Sequence, residues 1–294
     1  MKYIILILVL SINILNAKDN INIFTCEPEW ALLAKEITQN KANITSGIYA
    51  KQNPHFIQAK PSLISNVKNA NLLLCTGADL EIGWLPMLLE KSGNKGVSTL
   101  YLYNYVDMLD VLKPEEIDRK NGDVHAQGNP HIHLNPYNML KIAFAIKEQL
   151  VKIDANNADF YNQNYDIFIK KFKNDIAKWE EKSKKIQNVN LVFHHKDFDY
   201  LAQWLKLNIV AYLEEKPGVE PSAKYLSSVV NKIKPLDVKL IVRAPYSSSS
   251  ASIWVSEKTN INALELPYSL DFNEKNTIFD LYDNIINQLI NEIK

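Results

Sequence analysis

The sequence predicts an α/β fold of two lobes, each a mostly parallel sheet flanked by helices, with one long helix joining them. Short apolar runs alternate with amphipathic stretches over residues 21–91, and the alternation restarts at residue 189 and runs to residue 293. Such alternation is the pattern of parallel strands with helical crossovers. Between the two halves, residues 158–187 form a single long helical pattern. At about 1.5 Å of rise per residue this helix extends roughly 45 Å, enough to run the length of a two-lobed body.

In the first half, Ile21–Thr25 reads as a short buried strand and residues 27–38 as a helix with an apolar stripe of Trp30, Leu32, Leu33 and Ile37. Residues 42–48 form a second strand, which leads into the loop carrying His55. Pro61-Ser62 opens a helix through Val67, because proline suits a first helical turn. Leu72–Cys75 is another buried strand, and residues 81–91 form a helix closed by Ser92-Gly93. Residues 114–128 are polar and irregular and read as a loop over the surface. Pro136 starts a helix that runs to about residue 152, where Asp154-Ala-Asn-Asn157 breaks it.

On the long helix, Phe160, Tyr161, Tyr165, Phe168, Ile169, Phe172, Ile176 and Trp179 share one side, and core packing is the reading of that stripe. Strands then follow at residues 189–193, 208–213, 238–243 and 263–266. Helices alternate with them at residues 198–205, 220–234, 249–259 and 277–293. The expected division is a signal peptide at residues 1–17, an N-terminal lobe at 18–155, the linking helix at 156–187 and a C-terminal lobe at 188–294.

Met1-Lys2 followed by the apolar run of residues 3–15, with Ala17 before Lys18-Asp19, reads as a secretory signal peptide cut near Ala17. No cysteine sits at the cut, and no later stretch has the roughly 20 apolar residues of a membrane span. The expectation is an exported, periplasmic monomer. Net charge is zero, so nothing argues for nucleic acid. Cys26 and Cys75 each follow an apolar strand-like run. If those strands are neighbours, the thiols lie at matching ends and are expected to pair in an oxidising compartment, with two buried free thiols as the alternative.

The six histidines fall in three short segments. His55 stands in Gln52-Asn-Pro-His-Phe-Ile57. His125, His131 and His133 lie in or beside Gly128-Asn-Pro-His-Ile-His-Leu-Asn-Pro136. His194 and His195 follow the apolar run at residues 190–193. Neutral imidazole is the commonest metal ligand and suits zinc. Ligands of open α/β sheets bind outside the carboxyl ends of strands. His195 sits at such an end, and the loops of His55 and His131 reach the same region. The sequence has no His-Glu-x-x-His, no Gly-x-Ser-x-Gly, no phosphate-binding glycine loop and no Cys-x-x-Cys. His131-Ile-His133 leaves a His-x-His zinc hydrolase as the enzyme alternative. Pro130 and Pro136 make that stretch a loop more than a strand, and no general base is placed by spacing. A receptor or adhesion module is a third class, one that would tolerate loss of the histidines.

Five segments together resemble the exported metal-binding proteins of zinc and manganese ABC importers, the cluster A-I solute-binding proteins. They are Asn53-Pro-His55 with Pro61-Ser62; Thr76-Gly-Ala-Asp-Leu-Glu81-x-x-Trp84-Leu85; Asn129-Pro-His131-Ile-x-Leu-Asn135-Pro136; His195-x-x-Phe-x-Tyr200-Leu-Ala; and Gly218-x-Glu-Pro-Ser222. The resemblance spans essentially the whole mature chain. It implies a rigid linking helix and one divalent ion in the cleft on His55, His131 and His195, with delivery to the inner-membrane permease of the importer. His194 is then a supporting neighbour.

The chain departs from the family pattern in three places. The late segment Leu264-Glu-Leu-Pro-Tyr-Ser-Leu-Asp271 has no acid at the usual fourth-ligand position, which leaves water, Glu265, Asp271 or His133 for that role. His133 replaces a common tryptophan and reads as a loop residue more than an extra ligand. The loop of residues 114–128 contributes only His125, against a metal-collecting role for it. Imidazole ligands favour Zn2+ as the bound cargo over manganese, which wants more oxygen; copper and nickel also accept imidazole.

Overall fold

A computed structural model describes residues 20–118 and 122–293. The expected signal peptide and its cut near Ala17 lie outside the described residues. The first sheet contains β1 (Ile21–Thr25), β2 (Ala42–Ser46), β3 (Leu72–Cys75) and β4 (Ser98–Tyr101), all parallel, in the order β2-β1-β3-β4. The second contains β5 (Asn190–Phe193), β6 (Asn208–Tyr212), β7 (Val238–Arg243) and β8 (Asn262–Glu265), also parallel, in the order β6-β5-β7-β8. The two sheets share one topology. In each, the chain steps to one side of its first strand and then to the other. That switch opens a crevice at the carboxyl ends of the central strands.

Helices α1 (Pro28–Thr38), α2 (Pro61–Lys68), α3 (Leu85–Ser92) and α4 (Pro136–Ile153) belong to the first half. The long helix α5 (Ala158–Ser183) follows, continued by a 3-10 turn at Lys184–Ile186. Helices α6 (Asp199–Leu205), α7 (Ala223–Ile233), α8 (Ser249–Thr259) and α9 (Ile278–Glu292) complete the second half. Helix α5 packs on α1 and α4 along one part and on α9 along another. One continuous hydrophobic core includes Ile23 and Leu74 of the first sheet, Phe168 and Phe172 of α5, and Leu191 and Leu240 of the second. No helix among the described residues is long and apolar enough to cross a membrane.

Strand β4 is absent from the sequence reading. Its four residues are too few, and too exposed at one end, to show a period. Helix α3 begins at Leu85, four residues later than expected. Gly77, Ala78 and Asp79 all have positive φ and coil residues 77–84 into successive turns. At Gly77 (φ +77°) a β-carbon would also collide with the Tyr103 ring. Cys26 and Cys75 form a disulfide at the ends of the adjacent strands β1 and β3, with Cα atoms 4.8 Å apart. For a chain separation of 49 residues, the chain-entropy model gives about 4 kcal/mol of stabilisation.

Candidate metal centre

Three buried histidines converge where the carboxyl ends of the two sheets meet. His55, His131 and His195 each bring a ring nitrogen to within 4.8 Å of the other two. His55 comes from the loop after β2, His131 from the turn before α4, and His195 from the end of β5. Two of these positions share one local device. In both Asn53-Pro-His55 and Asn129-Pro-His131 the Asn Oδ1 accepts the backbone N–H of the histidine, at 3.0 Å in each case. This is an Asx-turn, which an asparagine before proline favours. The first copy is fixed further by Trp84, whose indole N–H donates to the Pro54 carbonyl at 2.9 Å.

Each ring is held through Nδ1. His55 Nδ1 is 2.9 Å from Asn53 Oδ1, which already accepts a backbone N–H, so the oxygen accepts again and Nδ1 carries the hydrogen. His195 Nδ1 donates to Glu214 Oε2 at 2.7 Å. His131 Nδ1 lies 2.7 Å from the Tyr268 hydroxyl, and its Nε2 is buried without a hydrogen-bond partner. A buried polar nitrogen with no partner is costly. Three rings fixed through Nδ1, with Nε2 left to converge, form a donor set that fits a cation. Metal-ligating histidines characteristically give the other ring nitrogen to a carboxylate, carbonyl or similar group in this way.

The electrostatics prepare neutral imidazole at two of the three rings. Burial, reinforced by neighbouring histidines, holds His55 and His131 well below the usual histidine range. Burial also pulls His195 down, but the hydrogen bond to Glu214 and the charges of Asp197, Glu214 and Asp123 reverse this and leave it raised. Burial pushes Glu214 up, yet hydrogen bonds from His194 and His195, the His195 charge and the Gly218 N–H bring it down to about 2. Behind the histidines lies a buried acidic floor of Glu27, Glu29 and Glu81. Burial, with repulsion from Glu81 and Glu29, raises Glu27, and burial raises Glu81 to about 7.

The other expected residues sit elsewhere. His133 is buried in the short turn before α4 and does not join the cluster. Its Nε2 donates to the Tyr268 carbonyl at 2.9 Å, and its Nδ1 lies 3.3 Å from Glu29 Oε1. Glu265 pairs with Arg243 at 2.7 Å, and Asp271 Oδ1 accepts the Ala50 N–H at 2.8 Å. None of these three joins the cluster. His194 lies beside it, with Nε2 3.4 Å from Glu214 Oε1. Sequence reading missed Glu214 and Tyr268. The Asn-Pro-His repeat was the one local signal of how the rings are fixed.

Comparison with known proteins gives relatives in sequence and in fold. Residues 23–294 match the family described as zinc-uptake complex component A, periplasmic (ZnuA). The high-affinity zinc uptake system protein ZnuA of Bacillus subtilis (strain 168) is 25% identical over 240 residues, covering 80% of this chain and 74% of that protein. The zinc-binding lipoprotein AdcA of Streptococcus pneumoniae (strain ATCC BAA-255 / R6) is 23% identical over 258 residues. The match takes in 87% of this chain but only 51% of AdcA, so the chain spans about half of that relative's length. The manganese ABC transporter substrate-binding lipoprotein PsaA of Streptococcus mitis is 23% identical over 270 residues, covering 89% of this chain and 84% of that protein. In fold, a crystal structure of ZnuA superposes with a TM-score of 0.80 at 18% identity, over 94% of this chain and all of that one. A zinc-bound ZnuA deletion mutant gives 0.79 at 17% identity, over 94% and 99% of the two chains.

Fold and family match together define a two-lobed solute-binding protein. The chain belongs to the ZnuA family, whose members serve transport by binding a solute and are not enzymes.

Proposed function

We propose that this protein is an exported carrier of zinc. It holds one ion between its lobes on His55, His131 and His195 and delivers it to the permease of an ABC-type importer in the membrane. The lobes are residues 18–155 and 188–294, joined by 156–187, and the carrier acts as a monomer. The observation that supports this reading best is the buried, unpartnered Nε2 of His131 inside a cluster of rings fixed through Nδ1. A relative named for zinc binding and one named for zinc uptake support the cargo, and one named as an ABC transporter substrate-binding lipoprotein supports the destination.

Ligand type supports zinc over manganese. Manganese prefers oxygen donors, and the nearest carboxylate, Glu214, is committed to His195, His194 and the Gly218 N–H. Metal analysis of protein purified without chelator tests the reading. Zinc near one equivalent is expected, and manganese should not displace it in competition. Preferential retention of manganese would overturn the zinc assignment.

A further inference from the structure

Residues 122–125 cross the mouth of the cleft. On one side the Asp123 N–H donates to the Pro217 carbonyl at 2.8 Å. The approach there is close enough that a β-carbon at Gly122 (φ +91°) would overlap the same carbonyl. On the other side His125 Nδ1 lies 3.0 Å from the Ala78 carbonyl. A carbonyl can only accept, so Nδ1 of His125 carries the hydrogen and Nε2 keeps its lone pair.

That lone pair faces His55 Nε2 at 3.1 Å. His55 is protonated on Nδ1 by the same reasoning, against Asn53 Oδ1. Two imidazole acceptors therefore oppose each other at hydrogen-bond distance with no hydrogen assigned between them. A cation shared by both relieves the opposition. With Zn–N bonds of about 2.0–2.1 Å, a tetrahedron places its ligand nitrogens about 3.3 Å apart, close to the observed spacing. Residues with a better claim from sequence position, His133, Glu265 and Asp271, are engaged elsewhere.

We propose that His125 is the fourth ligand, so that the ion is held by four imidazoles, three from the buried cluster of His55, His131 and His195 and one from the crossing segment. This rests on the three-histidine zinc site proposed above. The segment then has a direct part in holding the ion. It closes the coordination sphere and is anchored by the ion it covers.

X-ray absorption at the zinc edge, which counts imidazole ligands by their multiple scattering, tests this on the intact protein without any substitution. Four imidazoles are expected. In His125→Ala the count should fall to three plus one oxygen, and competition titration should show zinc affinity lower by at least about 10- to 100-fold, the loss typical even of groups one step removed from the metal. Three imidazoles and an oxygen in the unsubstituted protein, with His125→Ala binding as tightly, would overturn the role of His125 and leave the three-histidine site standing. His131→Ala separates the two ideas. If that variant keeps the spectrum and affinity of the unsubstituted protein, the three-histidine site fails, and the fourth ligand fails with it.

Discussion

His131 and His133 stand two positions apart and do different work. The first points an unpartnered Nε2 into the cluster, while the second spends its ring on the Tyr268 carbonyl and the edge of Glu29. In calorimetric titration, His131→Ala should weaken zinc binding by about 10- to 100-fold or more, and His133→Ala should leave it near that of the unsubstituted protein. The cost of His133→Ala should instead appear as lost stability, about 1–3 kcal/mol, because buried polar groups lose their partner. Equal, severe losses of affinity would put His133 in the coordination sphere. At this scale the three cluster histidines were legible, because imidazole is rare and each lay beside a turn or a strand end. Glu214 was not, being 19 positions from His195 within an acidic and basic run that reads as surface. Tyr268 is 137 positions from His131, and only the folded chain brings them together.

Helix α5 shows which elements a sequence makes plain. Its aromatic stripe was readable from the period alone, and the structure buries Tyr161, Phe168, Phe172, Ile176 and Trp179. Phe172 stacks on Phe168 and meets Trp179, Phe279 and Tyr282 edge-on, with centroids 5.0 to 5.6 Å away. Trp179 also donates its indole N–H to Asp283 of α9 at 2.8 Å. Phe172→Ala should cost about 3–5 kcal/mol, as truncation of a buried aromatic does, read from urea unfolding of the disulfide-intact protein. A cost below about 1 kcal/mol, the range of ordinary surface changes, would mean that the stripe is not core. The elements that escaped sequence reading were short or coiled. Strand β4 is four residues long, and the turns before α3 rest on positive-φ Ala78 and Asp79, residues that rarely advertise that conformation.

For the whole molecule, one ion tying both halves should show in the melting temperature. An ion that binds only the folded state stabilises it by about 4 kcal/mol at roughly a thousandfold excess over its dissociation constant. At about 2–4 °C per kcal/mol for domains of this size, zinc should raise the transition by about 8–16 °C. His55 and His131 are held low, so the folded protein keeps them neutral and they bring no proton for zinc to displace near neutrality. Their stabilising contribution is present above the ordinary histidine value and is lost as pH falls toward their lowered ones. His195 is raised, so its contribution to the metal-free fold is present below the ordinary value and is lost as pH rises through the raised one. Below the raised His195 value, zinc must therefore displace one proton, from His195. The zinc-induced gain should fall by about 1.4 kcal/mol per pH unit as pH drops below the raised His195 value, with a slope of one proton and not three. Scanning calorimetry across pH 5.5–8 gives that slope, with those limits chosen to bracket the ordinary histidine value of about 6.5. The His55→Ala/His195→Ala double variant should lose most of the gain, and an unchanged shift in it would mean that zinc binds elsewhere.

The shared core beneath the cleft has a consequence for timing. Strand residues of both sheets pack into one apolar body with α5 and α9, so parting the lobes would tear open that body. Exchange of the ion then needs no such opening. Its residence time is set by the few side chains at the cleft mouth, and above all by the loop that crosses it. Changes in that loop can speed or slow unloading by orders of magnitude while the resistance of the metal-free protein to unfolding stays the same.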